Sequence, residues 1–247
     1  SGGIDSPVAA FQMLKRGCAV DFLLINLVEE KAFNDVAKIY NYIISQYAYN
    51  YQPKFYLVDG KAIVKRIKEK VPSSMRQIIL KIVFYKIAEK ISPIVVTGES
   101  ISQKSSQTLA SLQLISSKSK ALVIRPLIGM DKLEITNIAR GIGTLASSEK
   151  VKELCNLAEG SVKTAPKEKD LVNIPSFQKL IDKAVNEVKV FSGIIDIEDE
   201  ILPEVKKPVI VDIRFKPSLG KIKIPYPEIM QHLDKFDKKK TYLIICD

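Results

Sequence analysis

From the first residue to about residue 145, apolar positions alternate between two spacings. Val8, Phe11 and Leu14 recur at helical intervals behind Ser6 and Pro7, which suit an N-cap and a first helical residue; Gly17 suits the C-terminal stop. The run 18–26 (CAVDFLLIN) is then nearly continuous in its apolar character, as a strand buried on both faces should be. Phe33, Val36, Ala37, Tyr40, Ile43, Ile44 and Tyr47 return to helical intervals. The alternation goes on to predict a strand at 54–58 (KFYLV), a basic helix at 62–71, a mostly apolar helix at 75–91, and a strand at 94–96 with Gly98 just beyond it. A strand at 122–125 and a short helix at 132–140, stopped by Gly141, complete the series. Such an order predicts an α/β domain with a parallel sheet and right-handed crossovers.

The pattern breaks in the polar stretch 147–170, which is rich in Lys, Glu and Ser. Helical spacing resumes at 177–190. Two strand candidates follow, 208–214 (PVIVDIR) and 241–246 (TYLIIC), with a Pro- and Lys-rich stretch between them. We therefore expect a first domain over 1–172, a linker helix over 173–192 and part of a second α/β domain over 193–247. The chain starts on a glycine turn and stops straight after a strand-like run. It reads as an internal piece of a longer protein, with a strand expected ahead of Ser1 and a loop beyond Cys246.

Composition narrows the class. With 46% hydrophobic and 27% charged residues the chain can bury a core, which excludes disordered and low-complexity readings. No apolar run approaches the ~18–20 residues of a membrane span, so a soluble protein with no membrane partner is expected. Three cysteines (Cys18, Cys155 and Cys246) are too few and too far apart for a disulfide scaffold and suit a reducing, cytoplasmic setting. A single histidine, His232, argues against a zinc site or a histidine-based triad. The 38 Lys and Arg against 28 Asp and Glu leave +10, which is consistent with a nucleic-acid partner without requiring one.

Ser1-Gly2-Gly3-Ile4-Asp5-Ser6 leads directly into the first helix. Two glycines let backbone N–H groups approach an anion, the serines add hydroxyl donors, and the helix N-terminus adds partial positive charge. Asp5 would repel a phosphate unless it holds Mg²⁺ against the phosphate oxygens. The plainer alternative is a glycine turn that starts a helix. As a whole, SGGIDS resembles the pyrophosphate (PP) loop of ATP pyrophosphatases, and it lacks the Lys-Ser/Thr of a Walker loop. Two further blocks, Thr97–Leu109 (TGESISQKSSQTL) and Arg125–Lys132 (RPLIGMDK) with 138–144 (IARGIGT), resemble successive segments of the tRNA 4-thiouridine synthetases, also called tRNA sulfurtransferases. That resemblance implies a Rossmann-like parallel sheet of the PP-loop type followed by a partial rhodanese-like α/β domain.

By resemblance, adenylation depends on Asp5 and Lys132, with Ser1, Gly2, Gly3 and Ser6 around the phosphates. Gly98 and Gln107 match nucleotide contacts, Arg76 a basic ATP contact, and Leu24 and Ile25 an adenine contact; read without the family, that pair is core. Cys155 falls where the family carries a sulfur-transfer cysteine. Cys246, behind TYLII, resembles the persulfide-carrying cysteine of rhodanese-like domains, and the DIR of 208–214 resembles an earlier strand of theirs. Cys18 reads as structural.

The resemblance implies ATP with Mg²⁺, attack of a tRNA uridine oxygen on the α-phosphate, and sulfur delivery from a persulfide on Cys246 loaded by a cysteine desulfurase. Cys155 would release the sulfur and leave a Cys155–Cys246 disulfide. A thiamine sulfur-carrier protein is a further implied partner. Two alternatives stay open: an amidotransferase or ligase of the same fold without sulfur chemistry, and a non-catalytic RNA-binding module.

Overall fold

The computed structural model describes residues 3–27, 31–49, 51–101, 103, 106–151, 162–197, 209–212, 222–223 and 242–245. They fall into two units, Ser1–Ile197 and Glu198–Asp247. In the first, the elements run α1 (Asp5–Leu14), β1 (Phe22–Asn26), α2 (Lys31–Tyr47), β2 (Lys54–Asp59), α3 (Lys61–Lys70), α4 (Arg76–Ile91), β3 (Ile94–Val96), α5 (Leu109–Ser117), β4 (Leu122–Ile124), α6 (Lys132–Gly141), α7 (Leu145–Lys150), α8 (Gln178–Asn186) and β5 (Lys189–Ser192). The parallel α/β layout is the expected one. Its strands form two hydrogen-bonded groups: β1 and β2 pair in parallel with β5 antiparallel at the edge, and β3 pairs in parallel with β4.

Helix α1 begins two residues earlier than expected, with Ile4 as its N-cap, so Ser6 lies inside the helix. Gly17 ends it as expected. With φ +77° it lets its own N–H reach Leu14 O and the N–H of Cys18 reach Met13 O, satisfying the last carbonyls. Residues 18–21 are irregular after this left-handed turn, so β1 is shorter than the apolar run that predicted it.

Alternation along β1 sends Leu24 into one cluster and Ile25 into another, as a strand covered on both faces requires. Leu24 packs with Tyr40, Ile43 and Phe55 under α2. Ile25 packs with Ile63, Ile67, Ile78 and Ile181 under α3, α4 and α8. A third cluster, Val8 and Ala9 with Leu127, Ile135, Ala139 and Ile142, clamps α1 onto α6. It brings the start of the chain to a helix more than a hundred residues away.

The stretch expected as a linker lies inside the first unit. Helix α8 stops at Asn186 rather than running to 190, because Lys189–Ser192 pairs antiparallel with β2. Tyr40 donates to Gly193 O at 2.9 Å, and Asn41 exchanges two hydrogen bonds with the Ile195 backbone at 2.8 and 2.9 Å. The chain therefore leaves this unit only after Ile197. In the second unit β6 (Val209–Asp212) pairs in parallel with β7 (Ile222–Lys223) and β8 (Tyr242–Ile245). Both expected strands are present there. Among the described residues no helix is long and apolar enough to cross a membrane.

Candidate nucleotide site

The third cluster aligns the N-termini of α1 and α6, and there the two expected adenylation residues meet. Lys132 Nζ lies 2.6 Å from Asp5 Oδ1. Lys132 is the first residue of α6, fixed by a reciprocal cap: Asp131 accepts from Glu134 N at 2.8 Å, and Glu134 accepts from Asp131 N at 2.7 Å. Asp5 opens α1 straight after the glycine turn.

Three links stitch the loops beyond β3 and β4 into the floor of this site. Thr97 N donates to Ile124 O, Ile101 N to Ile128 O, and the Ser100 hydroxyl to Met130 O, two residues ahead of Lys132. Open parallel sheets bind ligands outside the carboxyl ends of their strands, which is where these loops lie. A Cβ on Gly98 would sit 2.7 Å from Asp5 C, 2.8 Å from Asp5 O and 2.9 Å from Ser6 N. Gly98 thus lets the end of β3 touch the backbone at the start of α1. Gly98→Ala should therefore push that helix away, cost about 1–3 kcal/mol of stability and weaken ATP binding; calorimetric titration with ATP checks it, and wild-type affinity would refute this account.

Gln107 is 7% exposed, and among the described residues its Oε1 has no hydrogen-bond partner. A buried orphan acceptor is costly unless a ligand donor completes it, which suits a nucleotide contact. Arg76 is used otherwise here: its guanidinium donates to Lys68 O at 2.8 Å and Val71 O at 3.1 Å, closing the end of α3. The Leu24 and Ile25 side chains are core, so a ligand at the end of β1 would meet backbone there. Gly3 borders open space, with nothing within 4 Å of an added Cβ. Ser6 sits in the first turn of α1 and is half-buried. Ser1, Gly2, Cys155, Cys246 and His232 lie outside the described residues. Cys18 is a free, half-buried thiol.

One cluster was not anticipated. Glu99, 6% exposed, sits beside Gly98 and accepts from Lys81 at 2.8 Å, Arg125 Nε at 2.9 Å, Thr97 at 3.2 Å and the Tyr85 hydroxyl. Arg125 also donates to Tyr85 and Ser116. Burial alone would raise the Glu99 pKa, but Lys81, Tyr85 and Arg125 together hold it below the ordinary carboxylate value. Burial and then the Glu99 charge push the Tyr85 hydroxyl well up, so it stays a donor. The network ties α4, β3 and β4 together under the Gly98 turn. The available signal was a Lys and a Tyr four residues apart in the apolar run of α4.

Among the described residues no group of three or more His, Cys, Asp or Glu side chains could hold a metal. A phosphate-bound Mg²⁺ needs no such cage: one or two carboxylates plus phosphate oxygens suffice, and Asp5 fits as one of them.

A parallel α/β sheet with an acidic helix start and a lysine facing it, at the carboxyl ends of the strands, has the layout of an α/β nucleotide-binding domain. The family model described as "Thiamine biosynthesis protein (ThiI)" matches residues 1–180, and the chain belongs to that family. It is 32% identical over 278 residues to a tRNA sulfurtransferase of Colwellia psychrerythraea, covering 100% of this chain and 56% of that protein. A tRNA sulfurtransferase of Desulfurococcus amylolyticus is 37% identical over 171 residues, covering 66% of this chain and 36% of that one. A solved 4-thiouridine synthetase–RNA complex with bound ATP superposes with a TM-score of 0.70 at 32% identity, over 78% of this chain and 53% of that one. The chain spans about half the length of the relatives it matches.

Proposed function

We propose that the first unit is the adenylating part of a tRNA sulfurtransferase, making 4-thiouridine from a tRNA uridine with ATP. The Asp5–Lys132 pair at the phosphate loop carries this reading: one group suited to a metal and one to phosphate, held 2.6 Å apart by packing between α1 and α6. Mg²⁺, when bound, would neutralise phosphate charge beside Asp5. Lys132 is placed to stabilise charge that grows on the phosphates as the uridine oxygen attacks the α-phosphate and pyrophosphate leaves. Gln107 supplies an acceptor for the nucleotide, and Gly98 keeps β3 against the phosphate loop.

The sulfur half of the proposal rests on the resemblance. A cysteine desulfurase loads a persulfide on Cys246, in the rhodanese-like second unit. Its outer sulfur attacks the adenylated carbon and displaces AMP. The Cys155 thiol then attacks Cys246 Sγ, freeing the thiolated base and leaving a Cys155–Cys246 disulfide that a reductant reopens. The same persulfide would serve a thiamine sulfur-carrier protein.

Incubation of the chain with ATP, Mg²⁺ and unmodified tRNA should release pyrophosphate, and added desulfurase and cysteine should place 4-thiouridine in the tRNA. Mass spectrometry should then find the sulfur adduct on Cys246. No pyrophosphate release would remove the adenylation reading; an adduct confined to Cys18 would remove the relay.

A further inference from the structure

Six basic residues and one acidic residue lie between Lys61 and Arg76, giving this stretch +5, half of the chain's +10. Lys61, Lys65, Arg66, Lys68 and Lys70 are all exposed on α3, while Ile63 and Ile67 bury its other face. Among the described residues none of these five is in an ion pair. Elsewhere Lys81, Lys86, Lys90, Lys118, Lys132 and Lys163 each meet a carboxylate within 3 Å.

Helix stability does not account for this density. Lys68 and Lys70 suit the C-terminal end of the dipole, but Lys61 opens the helix and no acidic residue stands in its first turn. Lys61 with Lys65, and Arg66 with Lys70, are like charges one turn apart, each pair costing about 0.2–0.5 kcal/mol. Glu69, one turn from Lys65 and Arg66, offsets part of that cost, and α3 still keeps five basic residues against one acidic, a charge that suits a polyanion. Its location agrees. The residue before α3, Gly60, donates to Asn26 O at 2.8 Å, so the helix starts at the carboxyl ends of β1 and β2, on the ligand edge of the sheet. At the far end Arg76 donates to Lys68 O and to Val71 O just past α3, adding its charge at the C-terminal end of the helix.

We propose that the exposed face of α3 is a docking surface for the phosphate backbone of the tRNA, beside the nucleotide site. The inference rests on the tRNA reading above. Backbone contacts of this kind position an RNA without reading its sequence.

The test is tRNA binding by fluorescence anisotropy between about 50 and 200 mM salt, where each lost phosphate contact lowers the log–log slope by roughly 0.7–0.9. The triple variant Lys65→Gln/Arg66→Gln/Lys68→Gln should lose about two units of slope and at least about tenfold in affinity at low salt. A control triple, Lys167→Gln/Lys169→Gln/Lys179→Gln, should lose far less slope. ATP binding without tRNA should be unchanged in both. Equal slopes for wild type and the α3 variant, or equal losses in both triples, would overturn the surface while leaving the tRNA reading intact. Preference of the wild type for anionic phosphatidylserine vesicles over tRNA would overturn it too. A wild-type chain with no salt-dependent tRNA binding would instead remove the tRNA reading itself.

Discussion

Replacing Lys132 with alanine should lower ATP-dependent pyrophosphate release by about 100- to 1000-fold while leaving the thermal midpoint almost unmoved. The two halves of this expectation come from one geometry. The Lys132 side chain is 52% exposed and that of Asp5 23%, so their ion pair is open to solvent on the lysine side. Pairs of that kind contribute about 0–1 kcal/mol to stability. In the role proposed for it, the same ammonium would meet developing phosphate charge and contribute about 3–4 kcal/mol of transition-state stabilisation, the usual cost of removing one such donor. Asp5→Asn keeps the shape of the turn, removes the charge suited to Mg²⁺, and should lose a comparable factor. Because the two act as a unit, the double variant should be little worse than either single one. Rates would be measured at saturating ATP and Mg²⁺, with melting curves in parallel. A Lys132→Ala rate within about threefold of wild type would remove the lysine from the reaction.

That asymmetry is built by the loops rather than by the pair. Lys132 is held from below by its cap at Asp131 and from the side by the Ser100 bond to Met130 O. Asp5 is held by the contact of Gly98 with its backbone and by Val8 and Ala9 in the α1–α6 cluster. Each support comes from a regular element or from the turn just beyond one. A site built this way keeps two flexible side chains near a productive spacing before substrate arrives.

Much of the α/β alternation was legible because each element carries one clean period. Strand β3 matches its expected span, and α3, α4 and α6 fall within one residue of theirs at each end. Helix α5 was missed: three serines dilute its periodicity, and it depends on a Thr108 cap that accepts from Ser111 N. Strand β5 is hidden because Val188 continues the helical spacing from Val185 while only Val188 and Val190 alternate, and pairing with β2 decides it. Asp5 and Lys132 were legible as a pair only through the family's blocks, since nothing local links positions 127 apart. Glu99 was visible as a letter in a motif. Its partners come from α4 and β4, and no local pattern announces a contact between distant elements.

Glu99→Ala should destabilise the first unit by about 3 kcal/mol or more, the cost of stranding a buried charge without its partner. Lys81 and Arg125 have side chains only 19% and 15% exposed, and alanine would leave both cations facing each other under the Gly98 turn. Against a typical total of about 5–15 kcal/mol, that is a large fraction of the stability. Tyr85→Phe removes one donor and leaves both ion pairs, so it should cost only about 1–2 kcal/mol. The pH dependence has a definite sign. The folded pKa of Glu99 lies below its ordinary value of 4.5, so its contribution is fully present above that pH and is lost as pH falls through the folded value. Glu99→Gln should therefore flatten the acid limb of stability against pH while leaving the neutral-pH shape unchanged. Urea midpoints at a series of acidic and neutral pH values measure both effects. An acid limb identical in wild type and Glu99→Gln would mean that folding leaves the Glu99 pKa unshifted, and a wild type that gains stability relative to Glu99→Gln as pH falls would mean a protonated acid; either would overturn the ionised network.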